Sequence, residues 1–353
     1  MNKIIYFKEW KEKKEMKKLL MVLIALVAVV SLTACGKKEY KLGMGVVVST
    51  ASSKAGLAQV DATVAAVVTD KDGKIVECRI DVAQNKVTIS ETGELTVPAK
   101  FETKMELGTR YGMAGKVDND NNGVKLEWDV QTKAFEEYVV GKTGAEVAAL
   151  ETQEAGGHQI SKDQALLDAG CSMQITDFMA AVAKACADEQ GVTFEASKEF
   201  TLGVAANSYN DGSKNATADA AGAVQVYVDF GAAVLVGDEV VAALNDCIQP
   251  KFAVAGNVPT ASFKATKREL KEEYGMAGKV DNDNNGVKLE WYVQSLAFSK
   301  HVVGMTAAEI AAMTTQEAAG HQITTDAALL EAGCSMQITG LRDVVAKAAN
   351  NAR

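Results

Sequence analysis

The heptapeptide GCSMQIT occurs twice, as Gly170–Thr176 and as Gly333–Thr339, 163 positions apart. Each copy sets a small residue, a thiol and a hydroxyl side by side. The hydroxyls of Ser172 and Ser335 are the groups with open chemistry. A glycine two positions earlier permits unusual backbone angles or a close approach, and a hydroxyl in such a turn is expected to face outward and be reached. The adjacent thiols, Cys171 and Cys334, would need a cation or base to become thiolates. None stands beside them, and a small, soft side chain in a packed turn explains them.

Two further repeated motifs contain residues able to do chemistry. His158 and His321 recur in GHQI, without a second histidine or a Cys/Asp cluster at metal-ligand spacing, so a turn or cap role is expected. DNDNNG, at 118–123 and 281–286, imitates the start of an EF-hand loop. The twelfth position, where a bidentate glutamate belongs, is Asp129 in one copy and Tyr292 in the other. A polar turn built on Asx residues is therefore expected, and no metal is assigned. There is no Gly-rich phosphate loop after a strand, no GxSxG and no carboxylate pair at a recognisable spacing, so hydrolase and kinase chemistry have no residues to rest on.

The elements that must hold these motifs follow from periodicity. VDATVAAVVTDKDGKIVECRIDVA places two β-rich runs around Asp70-Lys71-Asp72-Gly73, a hairpin signal. AVQVYVDFGAAVLVGDEVVAALNDC does the same around Gly237-Asp238. Downstream the pattern becomes helical. Trp128, Ala134, Phe135, Tyr138 and Val139 share an apolar face. Thr143 with Glu146, and Thr306 with Glu309, read as capping boxes. Thr176 or Asp177 is expected to cap a last helix on which Phe178, Val182 and Cys186 recur at four-residue spacing. GCSMQIT then falls in a non-helical segment between two helices.

The repeat extends far beyond these motifs. YGMAGKVDNDNNGVKLEW is identical at 111–128 and 274–291, and similarity continues at constant offset through AFEEYVVGKTGAEVAAL against AFSKHVVGMTAAEIAAM. The chain therefore reads as α+β, with two tandem homologous domains, 41–188 and 200–351, joined by a linker at 189–199. Each is a small antiparallel sheet followed by short helices.

The N-terminal residues read as an address. MKKLLMVLIALVAVVSLTAC, from Met16 to Cys35, has a positive start, a short apolar run and small residues before a cysteine, the parts of a secretory signal. The apolar run is shorter than the roughly 20 residues of a spanning helix. Residues 1–15 precede a better start and are set aside, and 36–40 are a tether. Without residues 1–35 the chain has 30 basic and 43 acidic side chains, a formal charge of −13. That balance repels phosphate backbones and excludes nucleic acid as an expected partner. Five scattered cysteines after Cys35 contain no CxxC spacing and suggest neither a disulfide framework nor a zinc site.

Leu32-Thr33-Ala34-Cys35 resembles the bacterial lipobox. The resemblance implies a signal peptide over 1–35, lipidation of Cys35 with palmitate-type chains, and a lipoprotein held at the extracellular face of the cytoplasmic membrane. With the LGMGVVVS opening, the TKMEL and YGM stretch, the EW, AF and YVVGKT residues and AGCS before an amphipathic helix, the mature chain resembles the PplA-like extracellular electron-transfer flavoprotein lipoproteins of Gram-positive bacteria. These carry FMN linked through its phosphate to a Thr or Ser hydroxyl. The resemblance implies covalent FMN, one per repeat, at Ser172 and Ser335, attached by a flavin transferase. It also implies an electron carrier rather than a substrate-converting enzyme, exchanging electrons between membrane quinone-linked donors and extracellular acceptors. Tyr111, Trp128, Tyr274 and Trp291 are then candidates to pack on the flavin. Serine stands here for the usual threonine and cysteine for alanine or valine, and the upstream acid is displaced to Asp163 or Asp168 and to Asp326 or Glu331. The alternative reading is a surface lipoprotein that binds a ligand noncovalently or has a structural role, without a redox cofactor.

Overall fold

Valine- and alanine-rich runs separated by turn residues dominate the first half of each repeat, and they pair as antiparallel ladders. The computed structural model describes residues 37–197, 199–217 and 219–353. Cys35 and the expected signal segment lie outside them. Residues Glu39–Phe194 and Glu199–Arg353 form one compact unit.

In the first repeat β1 (Lys38–Ser49), β2 (Leu57–Asp70), β3 (Ile75–Ile89) and β4 (Leu95–Thr96) lie in the order β4-β3-β2-β1. The expected turn closes β2 onto β3. Gly73 takes φ +74°, and Asp70 Oδ1 accepts the N–H groups of Asp72 and Lys74, both at 2.9 Å. The stretch expected to be a linker is partly a strand, β7 (Val192–Ala196), the fifth of this sheet. Its alternation, with Phe194 and Ala196 buried, is a half-buried strand pattern that its polar flanks concealed.

The second repeat has β8 (Thr201–Asn210), β9 (Gly222–Val236), β10 (Glu239–Ile248), β11 (Lys251–Ala255) and β12 (Val258–Ser262). β9 is central, and β11 prolongs the line of β10: Ile248 faces Val228 and Lys251 faces Gln225 in one unbroken register. Gly237 takes φ +65° in the two-residue turn between β9 and β10.

Downstream of its sheet, the first repeat continues with α1 (Lys104–Leu107), α2 (Trp128–Tyr138), α3 (Gly144–Ala148), the hairpin β5 (Thr152–Ala155) and β6 (His158–Ser161), α4 (Gln164–Asp168) and α5 (Thr176–Cys186). The second repeat follows the same order with α6 (Lys267–Leu270), α7 (Trp291–His301), α8 (Ala307–Ala311), β13 (Thr315–Ala318), β14 (His321–Thr324), α9 (Ala327–Glu331) and α10 (Thr339–Asn350). This is a mixed α+β fold, roughly repeated. Both expected capping boxes form, and Thr103 with Glu106 and Thr266 with Glu269 make two more. Neither Thr176 nor Asp177 caps α5. Its N-cap is Ile175, with no side-chain bond, because the segment before it is drawn inward and the Ile175 N–H donates to the Gln159 carbonyl at 3.2 Å.

The last helix of each repeat lies directly on its sheet. A side chain at Gly43 would come within 2.0 Å of the Ala185 carbonyl oxygen, and one at Gly203 within 1.9 Å of that of Ala348. Only glycine allows that approach. Beneath, Phe178 meets Trp128 and Phe135 edge-on, at 5.9 and 5.5 Å between ring centres. Burying each such ring contributes about 1.5–3 kcal/mol.

The two repeats exchange reciprocal contacts. Lys184 donates to the Val46 carbonyl at 3.0 Å and pairs with Glu269 at 2.7 Å. Lys347 donates to the Ala206 carbonyl at 2.7 Å and pairs with Glu106 at 3.0 Å. Each last-helix lysine thus bridges its own sheet to the α1-type helix of the other repeat. Buried Arg268 and part-buried Asp188 add a pair at 3.0 Å, and the repeat offset puts Met105 and Asn351 at the equivalent positions, which have no charge to pair.

Candidate functional site

The short helix α1 is fixed from below. Asp81 Oδ1 accepts the N–H groups of Val82 at 2.7 Å and of Met105 at 3.2 Å. Asp246 Oδ1 does the same for Cys247 at 2.7 Å and Arg268 at 3.1 Å. Burial pushes both carboxyls up to about 6, against the pull of these bonds. The helices so anchored present Lys104 and Lys267. The Lys104 ammonium lies 5.0 Å from the Tyr111 ring centre and 5.5 Å from that of Trp128. The Lys267 ammonium lies 5.1 Å from Tyr274, 5.5 Å from Trp291 and 5.6 Å from Tyr227. These are cation–π distances.

A second lysine closes over the following turn. Gly112 and Gly275, at φ +72° and +71°, leave the space in which a side chain would meet the Lys116 or Lys279 ammonium at 3.3 Å. Glu127 accepts the Met113 N–H and Glu290 the Met276 N–H, each at 2.9 Å, which fixes these turns.

Between these groups and the repeated heptapeptide lies a pocket, present in each repeat. The first, about 350 Å³, is lined by Lys104, Tyr111, Lys116, Trp128, His158 and Met173 among others. The second, about 520 Å³, has the equivalent Lys267, Tyr274, Lys279, Trp291, His321 and Met336. Both volumes suit a small organic ligand. The four aromatic residues expected to pack on a cofactor are thus brought together with two cations in each repeat. Both tryptophans, 3% and 6% exposed, reach the pocket only at its floor, and most of each ring is core. His158 and His321, expected as turn or cap residues, stand exposed on the pocket wall.

The serines are not where the sequence put them. Ser172 and Ser335 were expected to stand clear of the interior and are only 3% and 1% exposed. The cause is a pair of buried glutamines that sequence reasoning missed. Gln131 Oε1 accepts the N–H groups of Ser172 and Met173, both at 3.0 Å, and Gln294 Oε1 those of Ser335 and Met336, both at 2.9 Å. Glycine matters as expected: at φ +92°, a side chain on Gly170 would strike Leu126 at 2.5 Å. The Ser335 hydroxyl is buried without a hydrogen-bond partner among the described residues. Cys171 and Cys334 are fully buried, and burial pushes their thiols up to about 12. None of the five described cysteines is paired.

The DNDNNG segments are Asx turns that serve the serine loops. Asp118 accepts the Gly123 N–H at 3.1 Å and Asn122 that of Val124 at 2.7 Å. Asn119 donates to the Ser172 carbonyl at 2.8 Å, and Asn282 to that of Ser335 at 2.9 Å.

The pockets differ on one side. Strand register equates Tyr209, Tyr227 and Asp229 with Ser49, Asp61 and Thr63. Tyr209 and Tyr227 stack at 5.2 Å and enlarge the second pocket, which Asp211 and Asp229 also line. The first repeat has Asp177 on its last helix where the second has Gly340. A side chain at Gly340 would lie 2.2 Å from Asp229 Oδ2, so a strand carboxylate occupies the space of the missing helix side chain.

No family model, no curated protein and no solved structure matches the chain.

Proposed function

We propose that each repeat holds one flavin nucleotide, FMN, and that the protein is a lipid-anchored electron carrier at the extracellular face of the membrane. The observation that carries this reading is the duplicated pocket. A planar ring with a phosphate needs an apolar, aromatic-lined cleft and cations, and each repeat offers tyrosine, tryptophan and two lysine ammonium groups beside a serine segment. An unpartnered buried hydroxyl at Ser335 also fits, since such a group costs stability until something bonds it. Bound there, the flavin supplies the redox chemistry, and the protein supplies orientation and charge. Lys104 and Lys267 offer positive charge at the ring faces, and Tyr111 and Tyr274 offer the adjoining aromatic surface. In the proposal Ser172 and Ser335 remain the acceptors for phosphoester attachment by a flavin transferase: the serine oxygen takes the FMN phosphoryl from a flavin dinucleotide, whose pyrophosphate bond breaks and whose other nucleotide leaves as the monophosphate, while Cys35 carries the lipid. Quinone-linked donors and extracellular acceptors are its electron partners.

The burial of both serines favours a second reading, in which the pockets bind their ligand without a covalent bond. Attachment requires the Gln131 and Gln294 bonds to open so that the segment can swing out. Noncovalent binding requires no such opening.

Intact-mass spectrometry of the protein made together with a flavin transferase separates the two. One or two FMN phosphoester increments, each lost on Ser172→Ala or Ser335→Ala, support attachment. A bare mass with yellow colour released on denaturation supports the second reading. A bare, colourless protein, where a known acceptor is modified, sinks the flavin proposal.

A further inference from the structure

His158 and His321 are two of only three histidines in the chain, and they occupy the same place in the two pockets. Each begins the second strand of a hairpin that is tied to the serine segment. Gln159, the next residue, accepts the Ile175 N–H at 3.2 Å, and Gln322 accepts that of Ile338 at 3.1 Å. In the first repeat the hairpin turn also closes on Asn119, whose Oδ1 lies 2.7 Å from where a Gly156 side chain would begin. That same asparagine donates to the Ser172 carbonyl at 2.8 Å. The strand from which the imidazole projects is therefore held beside the serine segment. Lys104 or Lys267 instead covers the aromatic faces.

The other charged groups lining the first pocket are Lys104 and Lys116, with Tyr111 as a further titratable group, and two carboxylates, Asp177 on the last helix and Asp61 on β2, stand near enough to act on each other, Asp177 also on Lys104. In the second, Lys267 and Lys279 are joined by Asp211 and Asp229, and by Tyr209, Tyr227 and Tyr274. A protonated imidazole thus adds a third cation to a wall that already has two, and imidazole is the side chain that gains this charge between about pH 5 and 8.

We propose that His158 and His321 each form, with Lys116 or Lys279, a pH-gated subsite for the phosphate of the pocket ligand. This rests on the flavin reading and adds to it: the histidine selects the phosphorylated ligand over the bare ring system and tightens its grip as the medium acidifies.

The test measures binding of free FMN and of riboflavin to the full chain in detergent, made without a flavin transferase, at about pH 6 and about pH 8. The phosphate also titrates in this range, so the readout is the ratio between the wild type and its His158→Gln, His321→Gln variant at each pH. At about pH 6 the variant is expected to lose about fivefold in FMN affinity, the scale of a part-exposed charge pair. At about pH 8 the loss is small, and riboflavin binding is unchanged at both. His158→Lys with His321→Lys, which carries the charge permanently, exceeds the wild type for FMN at about pH 8. Equal loss of FMN and riboflavin, or a wild-type to variant ratio that does not change with pH, overturns the phosphate subsite and leaves the flavin reading standing. Binding of neither ligand overturns the subsite, and the flavin reading then stands or falls on the intact mass.

Discussion

Gln131 reaches from the buried face of α2 to Ser172 and accepts its N–H through Oε1 at 3.0 Å, and the same oxygen takes the next N–H, that of Met173. Its own amide donates to the Leu126 carbonyl at 3.0 Å. One fully buried side chain therefore decides whether the serine segment lies inward or outward. Gln294 repeats the arrangement with Ser335. Removing the oxygen leaves two buried N–H groups unpaired, at about 1–3 kcal/mol each.

Gln131→Met keeps the volume and removes the acceptor. It is expected to lower stability by about 2–4 kcal/mol, read from urea unfolding midpoints. Hydrogen exchange at the Ser172 and Met173 amides should quicken before the rest of the domain is affected. Unchanged exchange there would refute the clamp.

Gly43 and Gly203 allow the last helices to touch the sheets. Alanine at Gly43 has no room beside the Ala185 carbonyl, and the helix must lift or the strand bend. Gly43→Ala is expected to cost about 3 kcal/mol or more, at the upper end of overpacking. At Gly237, an exposed turn with open space around it, alanine costs only the strain of a positive φ, about 1 kcal/mol. Comparable losses at the two sites would contradict the close-approach account.

The pocket acid exchanged its element between the repeats. Gly340→Asp places a side chain 2.2 Å from Asp229 Oδ2 and a second carboxylate against the first. It is expected to destabilise by about 2–4 kcal/mol. Adding Asp229→Thr, which copies the Thr63 and Asp177 arrangement of the first repeat, should recover at least half of that. A double-mutant cycle that is additive would show that the two positions do not share space.

Buried acids govern stability against pH, Asp229 among them, raised by its burial. Asp81 and Asp246 are held at about 6 and Glu136 at about 7, each raised chiefly by burial. A carboxyl whose folded value lies above its unfolded one binds its proton more tightly in the folded protein. Its contribution is complete below the unfolded value near 4 and is lost as pH rises through about 6 to 7. Stability should therefore increase on acidification from about pH 8 to about pH 5, by about 1.4 kcal/mol for each aspartate and about 2.5 kcal/mol for Glu136. Asp81→Asn retains an oxygen for the Val82 and Met105 N–H groups and flattens the profile. A profile that instead falls monotonically on acidification across that window would be inconsistent with these three carboxyls.

The repeated stretches by themselves set much of the local structure. Asp70 and Gly73 forced the hairpin, Thr143 with Glu146 and Thr306 with Glu309 started helices, and Gly170 and Gly333 marked turns with positive φ. These effects act over a few residues, so their pattern survives in one dimension. What tertiary structure alone decided is the depth of Ser172 and Ser335. Inward or outward depends on Gln131, 41 positions away, and a glutamine buried on a helix face beside Trp128, Thr132, Phe135 and Glu136 gives no hint of its partner. The pocket was illegible for the same reason: Lys104, Lys116 and His158 meet only after the sheet, the Asx turn and the β5–β6 hairpin have closed around them. β7 was hidden too, because a short alternating strand between polar flanks looks like a linker until β1 offers it an edge to bond.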